Sequence, residues 1–113
     1  MADENDENST EMIAFGLIAM AGDARSKAFE ALRLAKEGKF DEADDMMKQA
    51  GEASLQAHHA QTELLTKEAN GEHTEVNVML VHAQDHLMTS ILAQELIAEL
   101  IDVHKRLAQK ADR

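Results

Sequence analysis

Apolar positions recur at three- and four-residue steps through most of the chain, the period of an amphipathic α-helix. In the first segment, starting near Ser9 or Thr10, Ile13, Leu17, Met20, Ala24, Ala28, Ala31 and Ala35 gather on one face. The second repeats the pattern with Ala43, Met46, Ala50, Ala53, Ala57, Ala60 and Leu64, whose small side chains allow neighbouring helices to approach closely. Breaks fall at KEGKFDEA (36–43) and EANGEHTE (68–75). There Gly38, and Asn70 with Gly71, can take the left-handed conformations that end helices, and Asp41 and Thr74 lie near the two following starts. The pattern predicts helices over about 10–37, 41–69 and 74–111. Short connections make successive helices antiparallel, giving an up-down-up three-helix bundle within one domain, 9–113.

The third segment does not obey the one-face rule. At 100° per residue, one seam holds Met79, His82, His86, Ala93, Leu96, Leu100 and Leu107. A second, a quarter-turn or less away, holds Val78, Val81, Asp85, Met88, Leu92 and Val103, while Leu80, Leu87, Ala98 and Ile101 add a third side. A helix apolar around most of its circumference must be buried on most of it, and two partner helices cannot cover so much. Self-association through this helix is therefore expected, since a long exposed apolar stripe on a monomer is an aggregation hazard. The plainer alternative is that tight packing hides the stripe within one chain.

Composition agrees with an all-α class. The chain has no proline and three aromatic residues (Phe15, Phe29, Phe40), and its abundant Ala, Leu, Glu, Lys and Met favour helix over sheet. Its 113 residues suit a single core. The absence of cysteine excludes disulfides, thiolate metal sites and a cysteine nucleophile. With 22 acidic against 11 basic residues the formal charge is −11, which repels nucleic acid and suits a partner protein with a basic docking face. Residues 1–8, MADENDEN, lack the basic flank and apolar stretch of a secretory signal and read as an acidic, disordered tail. No apolar run approaches the roughly 18 residues of a membrane span, so a soluble, cytoplasmic protein is expected.

Candidate chemistry concentrates in VHAQDHLMTS (81–90). His82 and His86 are four apart and Asp85 is three from His82, so all three project toward one side of a helix, Asp85 nearest the expected intersubunit seam. Histidine is a competent nucleophile at neutral pH because much of it is uncharged there. One ring nitrogen can attack phosphorus while the other keeps a hydrogen bond that fixes the tautomer, and the labile product suits a carrier. The plainer reading of His82 is a partly buried core histidine, and of Asp85 a carboxylate reaching water between helices. If Asp85 lies on a symmetry axis, the converging carboxylates need protonation, water or a cation, and their oxygens suit Mg²⁺. The letters H-x-x-D-H also weakly resemble the inverted zinc-protease signature H-x-x-E-H, with His58, His59 and His104 as distant third ligands. Gly16 and Gly22 should each cost the first helix about 1 kcal/mol relative to alanine. Close packing against another helix is the favoured compensation, and room beside His82 for a phosphoryl group or partner loop is the functional one. Met46, Met47, Met79 and Met88 read as core filler or adaptable contact surface.

AGDARSKAFEAL (21–32), AHHAQTELL (57–65) and VHAQDHLMTS (81–90), in that order, resemble the IIA component of the lactose/cellobiose class of the bacterial phosphoenolpyruvate-dependent sugar phosphotransferase system. The resemblance runs from about residue 11 to 107. It implies a homotrimer of three-helix chains in which His82 accepts a phosphoryl group from the histidine-containing phosphocarrier protein and passes it to a cysteine of a IIB component. It also implies that Asp85 is shared by three chains around a central metal ion, and that His86 supports the phosphoryl group. VHAQDH looks more like the cellobiose or chitobiose branch than the lactose branch. Gln61 and Gln84 are candidate hydrogen-bond donors to the phosphoryl oxygens. Two other functions fit the residues alone: a non-catalytic helical oligomeric scaffold, and a zinc-binding hydrolase using His82 and His86.

Overall fold

The computed structural model describes residues 4–112, with side chains from Thr10 onward. Three helices, α1 (Glu4–Lys36), α2 (Phe40–Ala69) and α3 (Val78–Ala111), form an up-down-up rod of 70 × 21 × 20 Å. The packing seams are built largely from alanine in heptad steps. Ala14, Leu17, Ala21, Ala24, Ala28, Ala31 and Ala35 are buried on α1, and Ala43, Ala50, Ala57 and Leu64 on α2. Side chains this small let the helix backbones approach closely, which makes a slender bundle. Of the positions expected on these faces, Ile13, Met20, Met46, Ala53 and Ala60 are only half-buried.

Both turns use the same device. Gly38 takes φ +81 and Gly71 φ +86. Lys39 N–H donates to the Leu34 carbonyl at 2.9 Å and Gly38 N–H to Ala35 at 3.0 Å; Glu72 N–H and Gly71 N–H repeat this with Lys67 and Glu68. These paired bonds satisfy carbonyls that a helix end leaves bare, and they require a left-handed residue that glycine supplies without a Cβ clash. Asn70, expected to share that role, has φ −86 and is an ordinary C-cap.

Two starts differ from expectation. α3 begins at Val78, not near Thr74, because the Asn77 side chain accepts the Leu80 N–H at 2.9 Å and fixes the first turn there. Thr74 stays in the connection, its N–H donating to the Glu68 carboxylate at 3.2 Å. The α1 backbone is already helical from Glu4, ahead of Ser9 or Thr10. Nothing between Glu4 and Thr10 breaks a helix, and acidic residues are favoured at its positive end. Of the expected tail at 1–8, residues 1–3 lie outside the described residues.

α3 settles which of its sides faces inward. Leu80, Ala83, Leu87, Ser90, Ile97 and Ile101 are buried against α1 and α2. This is chiefly the third of the expected sides, although Ala98 is exposed. The second seam lies open: Val78 is 85%, Val81 55%, Met88 60%, Leu92 55% and Val103 50% exposed. Leu96, Leu100 and Leu107 continue that stripe to the far end of the helix. Packing within one chain therefore leaves a nearly continuous apolar strip along α3. Among the described residues no helix is long and apolar enough to cross a membrane.

Candidate functional site

Ser90, the one buried polar side chain of the core among the described residues, ties α3 to α1 through its hydroxyl, which donates to the Ala21 carbonyl at 3.0 Å. Gln94 in turn donates to the Ser90 carbonyl at 3.2 Å. Since α1 and α3 run parallel, His82 and His86 lie level with the early turns of α1. Ser90 closes the same ten-residue block that carries the histidines, at three and seven residues from the buried Leu87 and Ala83. That spacing was the available signal for its burial, and the sequence reading passed over it.

His82 is exposed and His86 half-buried at the edge of the apolar strip. Their Nε2 atoms are 3.1 Å apart, with ring centroids at 4.5 Å and planes at 89°. A hydrogen bond between two ring nitrogens requires one to donate N–H and the other to present its lone pair. The pair thus holds one unprotonated Nε2 at the surface beside a ready donor. Helical spacing of four alone creates this proximity.

Asp85 is exposed within the strip, flanked by Val81, Met88 and Leu92. Its backbone carbonyl accepts the Thr89 hydroxyl at 2.7 Å, and its carboxylate has no recorded partner among the described residues. Such a carboxylate fits a shared oxygen-ligand site only if other copies bring their own oxygens. Within this chain, no group of three acidic or histidine side chains is placed to hold a metal among the described residues. The third ligand that zinc hydrolysis needs is therefore not supplied by His58, His59 or His104. His58 and His59 are exposed on α2, and His104 is half-buried near the end of α3.

The two glutamines do not line the histidines. Gln84 Nε2 donates to Gln61 Oε1 at 2.6 Å across α2 and α3, and two residues along a helix turn the side chain about 200° away from His82. Lys105 forms a second α2–α3 bridge, donating to both Asp44 oxygens at 2.8 Å. The glycines also differ from the favoured expectation. A Cβ on Gly22 would meet nothing within 4 Å, and one on Gly16 only the Met20 methyl at an ordinary 3.7 Å. Packing inside the chain requires neither glycine.

The family described as "PTS system, Lactose/Cellobiose specific IIA subunit" matches residues 12–105, a span containing the core and the His82–Asp85–His86 site. The chain belongs to this family. As a IIA subunit it is 47% identical to the lactose-specific EIIA component of Streptococcus mutans over 102 residues, 90% of this chain and 97% of the relative. The IIA fold matches that of the cellobiose-specific enzyme IIA from Bacillus anthracis with a TM-score of 0.87 and 55% identity, covering 89% and 93% of the two chains. The IIA(Chitobiose) of an Escherichia coli IIA(Chitobiose)–HPr complex matches at TM-score 0.77 and 47% identity, covering 88% and 96%. The all-α, three-helix expectation is thereby borne out, and the chain is a component of a sugar phosphotransferase system.

Proposed function

We propose that this IIA subunit is a cytoplasmic homotrimeric phosphoryl carrier in which His82 accepts a phosphoryl group from the histidine-containing phosphocarrier protein and hands it to a IIB component. The observation that carries the reading is the His82–His86 pair at 3.1 Å on an open surface. A relay between proteins needs a nucleophile that two partners can reach in turn, and an exposed imidazole with a fixed neighbour meets that need. The phosphocarrier donor is further supported by the related IIA(Chitobiose)–HPr complexes.

In the first step the His82 Nε2 lone pair forms a bond to phosphorus as the donor's phosphorus–nitrogen bond breaks, and the donor imidazole leaves with that electron pair. His86 Nε2–H, until then directed at His82, is placed to donate to a phosphoryl oxygen. In the second step a nucleophile of the IIB component, a cysteine in this family's relay, takes the phosphorus and His82 recovers its lone pair. Catalysis rests on positioning and on a preorganised donor, as in phosphoryl transfers generally. The transported sugar in this proposal is a disaccharide of the cellobiose or chitobiose type.

The apolar strip on α3 supports the trimer. Packing three strips around an axis would cover Val81, Met88, Leu92 and Leu96 and bring three Asp85 carboxylates together. Asp85 would hold a hard divalent cation such as Mg²⁺, which would supply the positive charge that offsets their repulsion. Removing divalent ions should then lower the melting temperature of the wild type but not that of Asp85→Leu. An unchanged wild-type melt would eliminate the cation.

The test of the carrier role is incubation with phosphoenolpyruvate and the two general upstream proteins. An acid-labile, base-stable phosphoryl adduct on His82 is expected. Its absence from a folded, trimeric sample rejects the proposal.

A further inference from the structure

The His82–His86 pair has a second chemical capacity. Two nitrogens 3.1 Å apart, each taking a metal at about 2.0–2.1 Å, subtend about 98° at that metal. This lies between the tetragonal angle of about 90° favoured by Cu²⁺ and Ni²⁺ and the tetrahedral angle of about 109° favoured by Zn²⁺. The hydrogen bond already brings the Nε2 atoms to chelating distance, and each ring has then to turn by about 40° so that both lone pairs meet at one ion instead of facing each other. Both rings stand at the solvent-facing edge of α3, so an ion can enter directly.

We propose that His82 and His86 form a two-point chelating site for a borderline-soft divalent ion, Zn²⁺ foremost, and that the bound ion arrests phosphoryl transfer. Neutral rings give both Nε2 lone pairs to the metal and carry their protons on Nδ1, so the proton shared between the rings moves to the far side of its own ring. With no third acidic or histidine side chain placed to join them among the described residues, the remaining coordination positions go to water. The site is open and reversible, unlike a closed structural zinc site. It also differs in chemistry from the Asp85 carboxylate, whose oxygens select harder ions. The inhibitory consequence rests on the carrier reading: a metal-bound Nε2 has no lone pair left to attack phosphorus. A phosphorylated His82 has likewise lost that ligand, so the two states exclude each other.

The experiment is a calorimetric titration of the full chain with Zn²⁺ in excess Mg²⁺, at a pH well above the imidazole midpoint. Expected is one Zn²⁺ per chain. His82→Gln and His86→Gln should each weaken binding about a hundredfold, the order of gain that a second tethered ligand provides. His58→Gln combined with His59→Gln should leave it unchanged, since neighbouring residues point about 100° apart and cannot chelate together. Circular dichroism establishes that each variant remains helical. Absence of wild-type binding, or binding by both single variants as tight as that of the wild type, overturns the site. A second arm mixes purified phosphorylated phosphocarrier protein with the chain, with and without Zn²⁺, and reads phosphoryl gain by mass. Transfer that continues to His82 at full occupancy overturns the inhibition alone. Failure of transfer without zinc counts against the carrier reading, while the calorimetric result for the metal site stands independently.

Discussion

Leu87→Ala and Leu92→Ala distinguish the inward from the outward side of α3. Leu87 is 1% exposed and Leu92 55%. Truncating Leu87 removes a fully packed side chain and should cost the fold about 2–5 kcal/mol. For Leu92 only part of that loss falls within the chain. Burying a whole leucine contributes about 1.5–3 kcal/mol, so covering the exposed half contributes about 1 kcal/mol per chain, or about 3 kcal/mol for three copies. At about 1.4 kcal/mol per tenfold, the three-chain association constant should fall roughly a hundredfold. Sedimentation equilibrium over a concentration series measures that constant, and thermal unfolding at high concentration, where the parent is fully assembled, measures the fold. Leu92→Ala should shift assembly to higher concentration with a modest loss of melting temperature, and Leu87→Ala should chiefly lower the melting temperature. If Leu92→Ala leaves the mass distribution untouched, the outer strip of α3 is not where copies meet.

Gly22→Ala should raise the melting temperature, by up to about 1 kcal/mol in stability, because helix propensity improves and the added Cβ meets nothing within 4 Å. Gly38→Ala should do the reverse by about 1–2 kcal/mol, its φ of +81 being left-handed; denaturant titration of the pair checks both signs. Ser90→Ala should cost about 1 kcal/mol through loss of the buried bond to Ala21, read by the same titration. The His73 ring, followed by the Thr74 N–H, holds the Glu68 carboxyl below its ordinary value. A depressed carboxylate contributes stability above the ordinary midpoint and loses it as pH falls through the lowered one. The exchange protection of the Thr74 amide, corrected for the intrinsic pH dependence of exchange, should therefore fall on acidification through that range, and Glu68→Gln should abolish the pH step.

The helix count and both breaks were legible because their signals are local: heptad-spaced alanines, and glycines where each helix end needs a left-handed residue. The start of α3 was misplaced because Thr74 and Asn77 are both plausible caps by type, and only the Asn77 bond to Leu80 N–H decides between them. The inward side of α3 was illegible for a different reason. A segment apolar around most of its circumference gives periodicity no preferred direction, and the choice falls to how Leu80, Ala83, Leu87 and Ser90 fit α1. The His82–His86 contact follows from a spacing of four and was visible in the chain, whereas the Gln61–Gln84 pairing joins positions 23 residues apart and required the fold. Close packing was expected at Gly22 from its helix-propensity cost alone, which carries no information on whether a neighbour lies against that face, and within the chain none does.

The carrier role is tested most directly by the intact mass of the chain, first after incubation with phosphorylated phosphocarrier protein and again after adding an unphosphorylated IIB component. The account predicts a gain of one phosphoryl group per chain, located on His82 and absent from a folded His82→Ala variant, followed by its loss with a matching gain on the IIB component. A phosphoryl group that is acquired without His82, or that stays on the chain when the acceptor is supplied, would contradict it.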